Sequence, residues 1–197
     1  EESSQRRWLE AGEGDSARNL SADQLDGLRA KGGFETTATA QNTNLYMGMN
    51  TKNQYLANPK VRQAIRYLVD YDGLVKTALR EGWVINQTFL PNGVMGFVDS
   101  HPFTLDVDKA KALLAEAGYP NGFPITVNVA STEQSRMDIA QSLQETLAKA
   151  GIQLKILASD QKTVITTYRA RKHDMALLTW GIDYFDPATN MSFLVTT

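Results

Sequence analysis

The sequence predicts an α/β fold, and three observations carry that expectation. Ile125, Val127 and Val129 alternate with their neighbours at period two, as do Ile152, Leu154 and Ile156. Between these runs Ile139, Leu143, Leu147 and Ala150 recur at helical spacing, and Gly151 closes the helix. A second helical pattern from about Gln161 to Lys172 then leads into the continuously apolar run Met175 to Leu178. Strand–helix–strand–helix–strand with such short joints implies a βαβαβ core of parallel strands joined by right-handed crossovers. An unbroken apolar strand suits a parallel sheet covered on both faces.

The earlier elements follow in order. Residues 1–43 are polar and carry two weak helical stretches, one ended by Gly12 and one capped at Ser21 and stopped by Lys31-Gly32-Gly33. They hold too few apolar residues to own a core and are expected to lean on another body. From Asn44, Leu45, Met47 and Met49 alternate as a strand. Asn58-Pro59 opens an amphipathic helix through Val61, Ala64, Ile65 and Leu68. Asp70 or Asp72 caps a second helix running to Gly82, and residues 86–104, rich in proline and glycine, read as an ordered loop. Asp106 opens a third helix, stopped at Gly118. The long helix of the final third is expected from about Thr132, with Ser131-Thr132 as its cap.

Composition excludes several function classes. The chain has 197 residues, 42% of them hydrophobic, and a formal net charge of −2, which argues against nucleic-acid binding. It has no cysteine, which removes disulfides, zinc–thiolate sites and cysteine nucleophiles together. No apolar run reaches the roughly 18 residues of a membrane span. The first residue is Glu1 with no leader before it, so a signal peptide is expected to lie outside the chain. GxGxxG, P-loop, HExxH and GxSxG motifs do not occur, so no cofactor is expected. No catalytic residue or metal set stands out: Asp183 and Asp186 have no His or Glu nearby, and His101 and His173 read as surface or loop residues.

Open α/β sheets bind ligands beyond the carboxyl ends of their strands. The richest such segment is Trp180-Gly181-Ile182-Asp183-Tyr184-Phe185-Asp186-Pro187: an aromatic wall, a glycine that permits close backbone approach, and two carboxylates. One reading is a pocket for an amine-bearing ligand, with a carboxylate opposing its charge. The other is a turn in which Asp186 caps the next helix and the aromatics only pack.

Five stretches in fixed order resemble the bacterial extracellular solute-binding proteins of family 5, which include the dipeptide and oligopeptide receptors of ABC importers. They are Leu9-Glu10-Ala11-Gly12-Glu13-Gly14-Asp15, Leu45-Tyr46-Met47-Gly48-Met49-Asn50-Thr51, Asn58-Pro59-Lys60-Val61-Arg62-Gln63-Ala64-Ile65, Ala110 to Tyr119, and Asp174 to Tyr184. The resemblance implies a type II-like periplasmic-binding-protein lobe, as the partial chain of a much longer two-lobe protein. Residues 1–43 would be the tail of the first lobe's contribution and residues 44–197 most of the second lobe. In peptide-binding members an aspartate just after the tryptophan strand pairs with the peptide's α-ammonium, and the matching position is Asp183. Trp180, Gly181, Ile182 and Tyr184 would complete that wall. No basic residue for the ligand's carboxylate is evident on this strand, where Leu177 and Leu178 stand.

The resemblance thus implies a monomeric periplasmic or lipid-anchored receptor that hands short peptides to an ABC permease in the inner membrane and performs no chemistry. The same receptor binding an oligosaccharide through Trp180, Tyr184 and Phe185, or an opine or metal chelate, is the alternative. A hydrolase using Asp183 and Asp186, and a lobe docking on a membrane partner through apolar residues of the 86–104 loop, belong to different classes.

Overall fold

The computed structural model describes residues 2–18, 20–37, 41–182, 184 and 186–189. Two short helices, α1 (Glu2–Glu10) and α2 (Ala22–Lys31), precede strand β1 (Thr43–Met49). Helix α3 (Pro59–Tyr67) and the single turn α4 (Tyr71–Leu74) follow, and then α5 (Val107–Glu116). The final third runs β2 (Pro124–Ala130), α6 (Gln134–Ala148), β3 (Gln153–Ser159), α7 (Gln161–Arg169) and β4 (Met175–Gly181).

The four strands form one sheet in the order β1-β4-β2-β3. Strand β2 pairs parallel with both β3 and β4, which is the expected βαβαβ core. The first crossover runs from β2 out to β3 and the second runs back from β3 past β2 to β4, so right-handedness puts α6 and α7 on opposite faces. The packing agrees. Ile125, Val127, Met175 and Leu177 face a large core with α3, α5 and α6, whereas Ala130, Ala176 and Leu178 face Val164 of α7. Residues 175–178 are buried on both faces, which matches their unbroken apolar run.

Strand β1 lies antiparallel to β4, with Thr43 opposite Gly181 and Met49 opposite Met175. Its alternation is visible in the sequence, but its partner residues lie between 126 (Met49 to Met175) and 138 (Thr43 to Gly181) positions away, and no local pattern names them. Asp174 fastens the amino end of β4: its carboxylate accepts from Asn53 Nδ2 at 2.8 Å, Thr126 Oγ1 at 2.6 Å and Thr126 N at 3.1 Å.

Several helix ends follow their caps. Asn58 accepts from Lys60 N (2.9 Å), Asp106 from Lys109 N (2.9 Å) and Asp160 from Thr163 N (3.0 Å). Asp70, not Asp72, caps α4 by accepting from Gly73 N at 2.9 Å, and a Cβ at residue 73 would collide with that carboxylate. The expected continuous helix to Gly82 does not form. One α-turn gives way to a π-helical turn over Val75–Leu79 and a 3₁₀ turn over Arg80–Gly82. Arg80 takes a positive φ of 40° there and pairs with Asp23 (2.9 Å) and Asp26 (3.0 Å) of α2, so an ion-pair cluster connects the amino-terminal helices to the rest. Helix α6 starts at Gln134 with Glu133 in the cap position and no side-chain cap, so Ser131-Thr132 do not cap it. His101 is exposed, and His173 lies in the loop before β4, as expected, but it is not at the surface. It is buried with its ring centroid 4.8 Å from that of Tyr168, and its Nδ1 lacks a hydrogen-bond partner among the described residues.

Candidate ligand-binding site

The carboxyl ends of β2, β3 and β4 open on one edge of the sheet, and the antiparallel β1 brings its amino end to the same place. Trp180 stands opposite Asn44, and Gly181 opposite Thr43. Strand alternation puts Trp180 on the α7 face with Ala176 and Leu178, and it is half-buried. Gly181 fits its close contact: a Cβ there would lie 3.1 Å from Thr43 Oγ1. The pairing continues one step beyond the strand, where Ile182 N donates to Asn42 O at 3.2 Å. Tyr184 is 59% exposed, so its ring is available at the surface rather than packed inside. Asp183 and Phe185 lie outside the described residues. Asp186 accepts from Ala188 N at 2.7 Å, the capping role of the plainer reading.

The loop over 86–104 proves to be part of this edge. Asn44 Nδ2 donates to Phe89 O (3.1 Å), and Asn86 Nδ2 donates both to Asn44 Oδ1 (3.0 Å) and to Leu90 O (2.9 Å). Thr88 donates twice to Asn86 Oδ1, from its amide and its hydroxyl. Behind this, Gln87 exchanges two bonds with the Phe103 backbone, and Arg66 donates to Gln87 O while lying 3.7 Å over the Phe103 ring. An amide chain therefore seats residues 86–90 against β1, beside Trp180.

A second group comes from α6. Arg136 lies in its first turn and is only 6% exposed. Its Nη2 donates to Thr179 Oγ1 and its Nη1 to Gln161 Oε1, each at 3.1 Å, while Glu133 Oε2 stands 3.9 Å away. The sequence held a signal for it. Arg136 precedes Ile139, Ala140, Leu143 and Leu147 on the buried stripe of α6, so it must point inward. Strand β4 carries no basic residue of its own, and the cation beside it is delivered from the neighbouring helix.

The opposite, amino-terminal edge carries a shallow hollow lined by Ile125, Gln144, Leu154, Lys155 and Asp174, among others. Its one carboxylate is engaged in the structural bonds to Asn53 and Thr126. Among the described residues no three His, Asp or Glu side chains converge as a metal site.

The family model for bacterial extracellular solute-binding proteins, family 5 (middle part), matches residues 1–197. The chain belongs to that family. The glutathione-binding protein GsiB of Pectobacterium atrosepticum is 32% identical over 152 residues, and that of Escherichia coli K12 is 31% identical over 153. In both cases the match covers 77% of this chain and 30% of the relative. Among solved structures, the periplasmic binding protein DppA of Helicobacter pylori in complex with the peptide STSA superposes with a TM-score of 0.84 at 28% identity, over 96% of this chain and 37% of that one. AgaA of A. tumefaciens R10 with agropinic acid gives 0.84 at 29% identity, over 97% of this chain and 39% of that one. The chain thus spans about a third of the length of the receptors it matches, and its fold is part of a type II periplasmic binding protein.

Proposed function

We propose that the intact protein is the substrate-binding component of an ABC importer, which captures short peptides between two lobes and delivers them to a membrane permease. The observation that carries this reading is the sheet edge itself. A half-buried tryptophan and a glycine in close contact stand at the carboxyl end of β4, where sheets of this class bind ligands, and Asp183 follows them in the sequence. The relatives support it: GsiB is named for glutathione, a short peptide, and DppA was solved with one. Membership of a family of extracellular solute-binding proteins supports that setting, and a periplasmic or lipid-anchored monomer is the form proposed.

Asp183 supplies the countercharge for the ligand's α-ammonium. An ammonium enclosed in a closed, dry cleft without a counterion would cost several kcal/mol, which a carboxylate offsets. Trp180 and Tyr184 flank it, Gly181 admits backbone approach, and Ile182 holds the segment to residue 42. The protein performs no chemistry; closing of the lobes is a population shift driven by differential affinity.

The complex of AgaA with agropinic acid favours a second reading, in which the same cleft takes a non-peptide solute. Substituting Asp183→Asn in the intact protein separates the two. An ammonium ligand should lose tenfold or more in affinity, because an amide cannot replace the charge. A sugar-like ligand should lose little, because an amide still bonds a hydroxyl. Unchanged peptide affinity would contradict the role given to Asp183.

A further inference from the structure

We propose that Asn92 is a modification site, where the chain cyclises with Gly93 to a succinimide and reopens in water as aspartate or isoaspartate, while the fold protects the identical tripeptide at Asn121. The proposal goes beyond the receptor reading above and does not depend on it. Pro-Asn-Gly occurs twice, as Pro91-Asn92-Gly93 and as Pro120-Asn121-Gly122. In each, the glycine has no Cβ to shield its amide nitrogen from the asparagine side chain before it. The two copies share the same local chemistry, so their folded surroundings decide which one reacts.

The step needs water as its only co-reactant. The Gly93 amide nitrogen loses its proton and bonds to Asn92 Cγ, the Cγ–Nδ2 bond breaks, and Nδ2 leaves with that proton as ammonia. Water then opens the ring at one of its two carbonyl carbons. Cleavage at Cγ restores the main chain and leaves aspartate; cleavage at the main-chain carbonyl routes the chain through Cγ and leaves isoaspartate. One water is consumed, one ammonia is released, and nothing is oxidised or reduced.

The two turns present their glycine nitrogens differently. Val94 N donates to Pro91 O at 3.3 Å, so Asn92 and Gly93 are the two central residues of the first turn. Its feet, Pro91 and Val94, are buried, whereas Asn92 and Gly93 are exposed. Gly93 takes a φ of 88°, which favours glycine at that turn position. Among the described residues neither Gly93 N nor the Asn92 side chain has a hydrogen-bond partner. In the second copy the turn is shifted by one residue. Gly122 N is itself the closing donor, bonded to Tyr119 O at 3.0 Å. Gly122 is also packed so closely that a Cβ there would collide with the Gly151 carbonyl and lie 2.7 Å from Ile152 N. Attack at Asn121 must first break that bond and move the backbone away from Gly151, whereas attack at Asn92 requires only rotation within an exposed turn tip.

The reactive turn lies at the carboxyl edge of the sheet. A Cβ at Gly93 would stand 3.4 Å from Asn42 Oδ1, and Asn42 O holds Ile182 N at 3.2 Å. Either product sets one new negative charge beside that contact.

The test incubates the intact protein at mildly alkaline pH, folded and in concentrated urea, and follows both tripeptides by peptide mapping after digestion in acid. In the folded protein Asn92 should gain the mass of an amide-to-acid exchange several-fold faster than Asn121, and in urea the two should react at comparable rates. Equal rates in the folded protein, or no reaction at Asn92 there, overturn the site. The same ratio in urea as in the folded state would assign the difference to neighbouring residues and overturn the protective role of the fold. Anion exchange supplies a second readout: the acidic form that accumulates with age should be largely lost in Asn92→Ser, and its undiminished growth in that variant would overturn the assignment to Asn92.

Discussion

His173 illustrates what burial does to a single side chain. Its imidazole is 7% exposed, stacked beside Tyr168 and next to Arg171, and desolvation pushes its pKa below the ordinary histidine value. The unfolded chain therefore takes up the proton first as pH falls. Stability should be full above about pH 6.5 and decline as pH drops from there through the folded-state pKa, beyond which that loss is complete. Melting temperatures measured between pH 7.5 and 5 on wild type and on His173→Phe should show a steeper fall in wild type. Parallel curves would remove His173 as the cause. At the same scale, Leu147 is fully buried among α6, β2 and β3, so Leu147→Ala should cost about 2–5 kcal/mol in chemical denaturation. Residues of this kind were legible in the sequence because apolar spacing marks them. Arg136 is less legible, although it lies on the same stripe, because charge suggests solvent until a helix face is followed to its end.

Elements were legible where a cap or a period stood in one short window. Asn58 before Pro59, Asp106 before Val107 and Gly151 after Ala150 set boundaries that the chain adopts. Replacing Asn58 by Ala removes the acceptor of Lys60 N and should cost about 1 kcal/mol, measurable as a shift of the denaturation midpoint with unchanged slope. An unchanged midpoint would mean that the Asn58 cap contributes nothing to stability. Where competing local structures have similar energies, the sequence said less. The segment after α4 keeps helical spacing through Leu74, Ala78 and Leu79, yet it widens into a π turn and then tightens. Only the distant α2 carboxylates that hold Arg80 reveal why its end is fixed there. The 86–104 loop was legible as ordered, but its seat against β1 depends on Asn44 and Asn86, and asparagines carry no pattern that announces a partner. Substituting Asn86→Ala should free residues 86–90 and raise their amide exchange while strand β1 stays protected. Unchanged exchange over 86–90 would show that the Asn44–Asn86 bridge does not seat the loop.

For the whole molecule, the strand order is what turns a recognised set of elements into a site. With β4 and β3 on opposite sides of β2, the crossovers diverge and their helices leave an accessible edge at the carboxyl ends. The antiparallel β1 then carries Asn44, and with it the 86–90 segment, to Trp180. None of this is local, since pairing between residues 43–49 and 175–181 is set by which faces must be covered in the final fold. The family assignment was legible because five short stretches keep their order across the chain. The ligand was not, because the chain spans only about a third of the length of the receptors it matches. The account turns on peptide capture by a charge-matched edge, so the most direct measurement is native mass spectrometry of the intact protein as purified, with thermal shift against peptide and oligosaccharide panels. Co-purified masses of short peptides, and melting raised by peptides alone, are the predicted result. Sugar-sized masses, or stabilisation by glycans alone, would contradict it.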